Sequence, residues 1–195
     1  MSVIFGLNTG KKIIIGGDKR GSTKDGRIMS DSLQKVNIIN NSVCFATAGN
    51  ASIEMAIMSD INKLGSSDKL TGSDILDVIK DLYERMVSAD IKTLYMYPFY
   101  FIIAGRIAEN KSARVAGFNK NGTIDFKEVP CVLFPPEGSS LQECNNIFVR
   151  NLKLFPLEFV EKTVNDISKI NSYVSPSGDK WEYDMTTEIG ILSSF

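Results

Sequence analysis

The spacing of the hydrophobic residues changes several times along this chain, and the order of the changes constrains the fold more than any other sequence feature. Runs typical of paired β-strands come first and are followed by two segments with apolar residues at helical spacing. Further strand patterns follow, then two more helical segments, and a last strand closes the sequence. Two helix pairs separated by antiparallel strands predict a layered α+β fold in which each pair covers one face of a sheet.

Two β-hairpins are predicted within the first 50 residues. Apolar runs at 3–7 and 12–17 are joined by the turn sequence Asn-Thr-Gly-Lys. Runs at 35–39 and 43–48 flank Asn-Asn-Ser in the same way. The later strand patterns lie at 99–105, 113–118, 123–129 and 187–192, with Asn-Gly predicted as the turn between the second and third of these.

Four amphipathic helices are predicted from apolar residues three or four positions apart. The first starts after Gly49, and the second covers about residues 73–89. The third opens with the capping-box sequence Ser-Leu-Gln-Glu at Ser140, and the fourth has Pro156 in its first turn. The apolar faces predicted for the third and fourth helices are Leu141, Cys144, Ile147, Phe148 and Leu152, and Phe159, Val160, Val164, Ile167 and Ile170.

Composition and charge exclude several classes of partner. The 22 basic and 23 acidic residues are interspersed and give a net charge of -1. The sequence therefore has no basic stripe of the kind that predicts nucleic-acid binding. No apolar run approaches the roughly 18 residues of a membrane-spanning helix, and no signal-peptide pattern is present. We therefore expect a cytoplasmic protein with one domain over residues 1–195 and no membrane partner.

The chain contains no histidine, and this absence limits its chemistry. Every Ser-His, Cys-His and His-ligated zinc mechanism is excluded. The phosphate-binding and calcium-binding loop motifs are also missing, so we expect no cofactor and no metal. The three cysteines are too widely spaced for a disulfide framework or a thiolate metal site and are predicted to be small core residues: Cys44, Cys131 and Cys144.

The register of the two hairpins predicts which polar residues meet. If Leu7 faces Lys12 in the first hairpin, Ser2 lies opposite Gly17 and beside Asp18. The same rule places Lys35 opposite Ala46 or Thr47, close to the start of the first helix. The free backbone N–H groups at that helix start are suited to an anion.

At these positions the sequence resembles the proteasome β subunits and the HslV peptidase, which are N-terminal nucleophile (Ntn) hydrolases. The resemblance runs through GGDKRGS, SLQKV, ATAGNAS, FYFIIAGR and NKNGTIDF over about residues 2–130. The order and the spacing agree with those of the family except for one extra residue between Asp18 and Lys35. It implies a four-layer α/β/β/α sandwich with two antiparallel sheets between the helix pairs. It also implies hydrolysis of peptide or amide bonds, a homo-oligomeric ring and an ATP-dependent unfoldase as a partner.

The resemblance assigns roles to individual residues. Ser2 takes the place of the family's N-terminal threonine nucleophile, Lys35 that of its lysine, and Gly49 supplies the oxyanion N–H. Asp18 and Arg20 form the family's Asp-x-Arg segment. The residues carried over to substrate binding are Gly21, Ser22, Leu33, Thr47, Ala51 and Met55, a lining without charge that favours an apolar residue before the scissile bond.

The chemistry of these residue types is consistent with that role. Serine is small enough for removal of Met1 to be expected, which leaves Ser2 with a free α-amine. An α-amine has a pKa of about 7.7 to 8.0 and can act as a general base near neutral pH. Lys35, paired with Asp18, favours the ionised hydroxyl and the neutral amine, so an N-terminal serine can replace the missing histidine.

The sequence departs from the family pattern after residue 130. Ser139 is the nearest match to one supporting serine, and Ser175 to another, but Ser172 stands where the family has an aspartate. Two alternatives therefore stay open: a catalytically inactive ring or binding subunit, and an amidase that acts on a small molecule. Retention of Met1 favours the first, and hydrolysis of acylated small molecules but not peptides favours the second.

Overall fold

A computed structural model describes residues 2–23, 25, 27–89, 99–108, 116–120 and 124–195, without the side chains of 116–120 and 124–127. A helix pair, two five-stranded antiparallel sheets and a second helix pair form four successive layers. The predicted four-layer α/β/β/α sandwich is confirmed.

The first sheet has the strand order β10-β1-β2-β11-β12 and holds the N-terminal hairpin at its centre. Its strands are β1 (Ile4–Asn8), β2 (Lys12–Asp18), β10 (Cys131–Phe134), β11 (Gly178–Asp184) and β12 (Ile189–Ser194). β2 is buried on both faces because it is a central strand between a helix layer and the other sheet, which explains its continuous apolar run.

The second sheet has the strand order β5-β6-β7-β8-β9. Its strands are β5 (Val36–Asn40), β6 (Val43–Gly49), β7 (Phe99–Gly105), β8 (Ala116–Lys120) and β9 (Ile124–Glu128). A separate two-stranded ribbon, β3 (Gly21–Ser22) with β4 (Ile28–Ser30), lies between the two hairpins in the sequence.

Two helix pairs cover the outer faces of the sheets. α1 (Ala51–Lys63) and α2 (Gly72–Ser88) pack on the second sheet, and α3 (Leu141–Leu154) and α4 (Phe159–Ile170) pack on the first. The hydroxyl of Ser140 accepts a hydrogen bond from the Glu143 backbone, as the capping sequence predicts.

Alternating side chains of the strands fill three apolar layers. Ile13 and Ile15 point between the two sheets, where Trp181 and Tyr183 stack at 5.5 Å, whereas Ile14 points toward α3 and α4. In the layer under those helices, Phe5 packs against Phe148 and Phe159, whose ring centroids are 5.3 and 6.4 Å from its own. Together these layers hold both hairpins against each other.

The register of the first hairpin differs from the prediction by two residues. Ile4 pairs with Gly17, and the Thr9 backbone donates to Lys12, so the turn contains only two residues. The chain reverses this tightly because Gly10 adopts a φ of +82° and the Asn8 side chain accepts its N–H. Ser2 consequently lies beyond the paired residues rather than opposite Gly17.

Other predicted elements differ at their edges. The last strand begins at Ile189, not 187, because the Asp184 carboxylate holds residues 186–187 in a turn. α4 begins at Phe159, so Pro156 precedes it instead of forming its first turn. Two predictions lie partly or wholly outside the described residues: the first three residues (113–115) of the strand predicted at 113–118, and the Asn-Gly turn at 121–122.

Four strands were not predicted: β3 and β4 of the short ribbon, and β10 and β11 of the first sheet. β10 is a four-residue strand followed directly by two prolines, and β11 alternates buried Trp181 and Tyr183 with charged residues. Three residues expected in the core are exposed: Leu141 and Ile170 at the ends of their helices, and Cys131 at the start of β10. Helix and strand ends turn part of an apolar face to solvent, which the periodicity alone does not reveal.

Close packing at Gly16 generates a test of this arrangement. A Cβ atom there would lie 2.6 Å from the Phe5 ring and 2.7 Å from Val160, whereas at Gly17 the nearest atom is 3.2 Å away. We expect Gly16→Ala to lower the free energy of unfolding by about 1 to 3 kcal/mol, and Gly17→Ala by less. Urea unfolding of both variants measures this, and an equal or larger loss for Gly17→Ala contradicts the packing described here.

Candidate active site

Asp18, at the end of β2, is the centre of a buried polar cluster. Its side chain is fully buried, and its Oδ1 accepts hydrogen bonds from Lys35 Nζ and from the Val3 backbone N–H, both at 3.0 Å. Its Oδ2 accepts from the backbone N–H of Arg20 at 2.8 Å and of Ser175 at 3.3 Å. Four donors satisfy a carboxylate that has no access to water.

Lys35 is buried as well, with a relative exposure of 3%. Its ammonium group donates to Asp18 and, through a short hydrogen bond, to the backbone carbonyl of Arg20. Burial lowers the pKa of Lys35, and the opposing effects of Asp18 and of the more distant Glu54 only partly offset it. The predicted register is confirmed, since the Thr47 N–H donates to the Lys35 carbonyl at 3.0 Å.

Ser2 reaches the same carbonyl. Its hydroxyl donates to the Arg20 carbonyl oxygen at 3.4 Å, and the residue is 6% exposed. The Ser2 hydroxyl and the Lys35 ammonium therefore converge on one backbone oxygen. The hydrogen bond from Val3 to Asp18 anchors the chain directly after the serine.

Arg20 combines a backbone role with a side chain that bridges two loops. Its guanidinium makes two hydrogen bonds to the Asp31 carboxylate, at 2.6 and 3.1 Å, and a third to the Ser172 carbonyl at 2.7 Å. The Asp31 partner raises the pKa of Arg20, and the same hydrogen bond lowers the pKa of Asp31. Asp31 was not among the residues singled out from the sequence.

The loop at 171–177 brings two of the three predicted serines to this cluster. Ser175 is buried; its N–H binds Asp18, and its hydroxyl lies 2.7 Å from that of Ser177. Ser172 contributes its carbonyl to Arg20. Ser139 lies one contact further away, since its hydroxyl accepts from Asn171, the residue where this loop begins.

Gly49 lies at the end of β6, two residues after the Thr47 that bonds to Lys35. Its φ of +115° is a conformation that favours glycine, and it allows the strand to turn directly into α1. Asn50 follows as the N-cap and accepts from Ser52 at 2.9 Å. The helix start is therefore at the end of the sheet where Lys35 lies.

The predicted substrate-binding residues lie around this end of the second hairpin. Gly21 and Ser22 form β3, and Leu33 packs over Gly21, since a Cβ atom there would lie 3.3 Å from the leucine. Ala51 and Met55 are exposed on the first turns of α1. Thr47 is buried.

A carboxylate that the sequence analysis missed accompanies this lining. The Thr47 hydroxyl donates to Glu54 at 2.6 Å, and the Asn37 side chain donates to the same carboxylate at 2.9 Å. Glu54 lies three residues after Ala51, so the helical period puts both on one side of α1. The carboxylate of Glu54 therefore lies beside the substrate-binding residues, which were predicted to form a lining without charge.

The arrangement can support nucleophilic chemistry at a serine hydroxyl beside a buried ammonium group. Among the described residues, no group of His, Cys, Asp and Glu side chains is arranged to hold a metal ion. In the same part of the chain, no helix combines the length and the apolar character that crossing a membrane requires.

Two solved structures share the fold of this chain. Eukaryotic HslV from Trypanosoma brucei aligns over 93% of this chain and 99% of its own, with a TM-score of 0.65 and 14% identity. Anbu from Hyphomicrobium sp. strain MC1 aligns over 98% and 86%, with a TM-score of 0.71 and 14% identity. No protein-family model and no curated protein matches the sequence. At this identity the likeness shows the fold, which is the proteasome- and HslV-like fold that the sequence resemblance implies.

The buried ion pair of Asp18 and Lys35 predicts which of two substitutions lowers stability more. We expect Asp18→Asn to lower the free energy of unfolding by about 3 to 5 kcal/mol at neutral pH, because the buried Lys35 ammonium loses its counter-charge. Lys35→Met should cost less, since the Asp18 carboxylate keeps three backbone N–H donors.

Urea unfolding at pH 7 checks this order, with Lys12→Met as the control. Lys12 pairs with Glu182 at 3.3 Å at the surface, and such exposed pairs contribute about 0 to 1 kcal/mol. A larger loss for Lys35→Met than for Asp18→Asn would show that the three backbone donors do not sustain the Asp18 carboxylate without the ammonium, and would contradict this order.

Proposed function

We propose that this chain is a proteasome-like N-terminal serine hydrolase that cleaves peptide or other amide bonds after removal of Met1. The observation that carries the proposal is the convergence of the Ser2 hydroxyl and the Lys35 ammonium on the Arg20 carbonyl, above the buried Asp18. The resemblance of the sequence segments and the HslV- and Anbu-like fold support the same class of protein.

The first half of the reaction forms an acyl-enzyme. The α-amine of Ser2 takes the hydroxyl proton, directly or through a water, and Oγ attacks the substrate carbonyl carbon. The carbonyl oxygen becomes an oxyanion stabilised by the Gly49 N–H, an interaction whose loss in other hydrolases costs roughly 3 to 4 kcal/mol. The protonated amine then gives its proton to the leaving nitrogen, the C–N bond breaks, and an ester remains on Ser2.

The second half releases the acid. The same amine, neutral again, takes a proton from water, and the hydroxide attacks the ester carbon. The C–O bond to Ser2 then breaks, Oγ recovers its proton from the amine, and the free carboxylic acid leaves. Throughout, the positive charge of Lys35 favours the ionised Oγ and disfavours protonation of the nearby amine.

The substrate is proposed to be a peptide whose residue before the scissile bond contacts Gly21, Leu33, Thr47, Ala51 and Met55. We further propose that the chain assembles into a homo-oligomeric ring in the cytoplasm and receives unfolded protein from an ATP-dependent partner. These points follow the resemblance and extend the proposal to its cellular setting.

A covalent probe tests the nucleophile. After incubation with a peptide epoxyketone, which needs both an N-terminal amine and its hydroxyl, we expect intact mass spectrometry to show loss of Met1 and a single adduct on Ser2. Ser2→Ala should give no adduct, whereas Ser2→Thr, which keeps the hydroxyl, should be labelled. Lys35→Met should lower the labelling rate at least a hundredfold.

The outcomes separate the proposal from its alternatives. Retained Met1 with no adduct indicates a structural subunit. A small-molecule amidase is indicated if the protein is labelled and hydrolyses acylated small molecules but cleaves no peptide of a library. The library should include peptides with apolar and with basic residues before the cleaved bond. Turnover in Ser2→Ala contradicts the nucleophile itself.

The pH dependence of hydrolysis tests the role of Lys35. Loss of the Lys35 charge at high pH and protonation of the α-amine at low pH should give a bell-shaped profile of kcat/KM. Because burial lowers the pKa of Lys35, we expect the alkaline limb to lie below about 10.4, the ordinary lysine value. An alkaline limb at or above that value would contradict a lowered pKa of Lys35 as the origin of this limb.

A further inference from the structure

The peptide unit at Arg20 determines the relative positions of three groups in the site. Its N–H donates to Asp18 at 2.8 Å, and its carbonyl accepts from the Lys35 ammonium and from the Ser2 hydroxyl. Since these contacts are made by backbone atoms, they would form with any residue type at position 20. The arginine side chain must therefore be explained separately.

The guanidinium is fixed by a carboxylate outside the cluster. Nε and Nη2 of Arg20 bind the two oxygens of Asp31 at 2.6 and 3.1 Å, a planar two-point contact that fixes orientation as well as distance. Nη1 binds the Ser172 carbonyl at 2.7 Å. The arginine side chain is 15% exposed and that of Asp31 is 51% exposed, so the pair lies at the edge of the site.

Both loops held by the guanidinium lead directly to groups of the site. Asp31 precedes Lys35 by four residues, and Ser172 precedes Ser175 by three. The Leu33 N–H also donates to the Lys19 carbonyl at 2.9 Å, which joins the first loop to the residue before Arg20. An ion pair at the protein surface adds little to stability, so we expect loss of this pair to change the positions of the groups more than the stability of the fold.

We propose that Asp31 is a positioning residue, which acts through the Arg20 side chain to hold the Arg20 carbonyl where it binds both Lys35 and Ser2. The proposal rests on the proposed function for its catalytic readout. It predicts that loss of the Asp31 carboxylate displaces the Arg20 peptide and loosens the contacts of its carbonyl with the ammonium and with the hydroxyl. Misplacement of reacting groups by about 1 Å can cost about a hundredfold in rate.

The first measurement compares Asp31→Asn with the matched control Asp81→Asn. Asp81 is also exposed and binds Arg85 Nε at 2.9 Å, but on α2, away from the site. We expect kcat to fall about ten- to a hundredfold in Asp31→Asn with KM within twofold, while its melting temperature stays within about 2 °C of the control. Asp31→Glu, which restores the charge, should recover part of kcat.

The second measurement separates positioning from direct charge effects and does not require activity. The charged groups that face Lys35 are Asp18, Glu54 and Arg20, and Asp31 lies near enough to interact with it. NMR titration of the lysine side chain should give a lower pKa for Lys35 in Asp31→Asn, since a well-placed carbonyl acceptor favours the ammonium form. In an Arg20→Gln background, Asp31→Asn should change this pKa and kcat much less than it does when Arg20 is present.

Each result decides the proposal. A pKa shift and a kcat loss that persist undiminished in the Arg20→Gln background show a direct charge effect and overturn it, as does an Asp31→Asn variant with parental kcat and an unchanged Lys35 pKa. If the parent hydrolyses no amide but the Lys35 pKa falls in Asp31→Asn only when Arg20 is present, the proposed function fails and the positioning role stands.

Discussion

The buried carboxylate of Asp18 is the constraint on which the arrangement of this site depends. A charged group without access to water is strongly destabilising unless donors surround it. Here the donors come from four parts of the chain: the residue before β1, the turn after β2, the residue before β5 and the loop before β11. Satisfying one side chain therefore fixes the relative positions of four segments that are far apart in sequence.

The packing of the layers brings these four segments together at Asp18. β2 is the central strand of the first sheet and ends at Asp18, and its Gly16 allows Phe5 and α4 to pack closely against it. β11 pairs with β2 in a register that puts Gly178 opposite Asp18, so the loop before β11 must lie beside the carboxylate. Lys35 lies directly before β5, the first strand of the hairpin in the second sheet, and reaches Asp18 from that sheet.

The same physics connects burial with chemistry. The pKa of Lys35 is lowered because the lysine is removed from water, although Asp18 and the Arg20 carbonyl favour its charged form. An ammonium group in this setting carries its charge where water cannot screen it, which strengthens its effect on a neighbouring hydroxyl. The Arg20 peptide, in contact with Ser2, Lys35 and Asp18, is the structural link between them, and the pair of Arg20 with Asp31 connects that link to the surface.

Much of the architecture follows from local patterns. The helical period predicts α1 to α4, and turn residues predict both hairpins. Lys35 pairs with Thr47, which is one of the two partners that the predicted register allowed. The register of the first hairpin was wrong by two residues because the turn lies at Gly10 and Lys11, where the φ of Gly10 and the Asn8 side chain stabilise it, one residue later than the predicted register requires. β10 and β11 were missed since a short strand before prolines, and one with alternating charges, give a weak local signal.

The sequence by itself determined which chemistry is open to this protein: a chain without histidine, with a serine, an aspartate, a lysine and a glycine in an order that resembles the Ntn hydrolases. Only the tertiary structure decided that Lys35 is buried, that Arg20 offers its carbonyl to two groups, and that Asp31, Glu54 and Ser175 lie nearby. Local spacing specifies helices, turns and pairing between adjacent strands. Burial, pKa and contacts between distant loops depend on how the layers pack, and no short stretch of sequence contains that information.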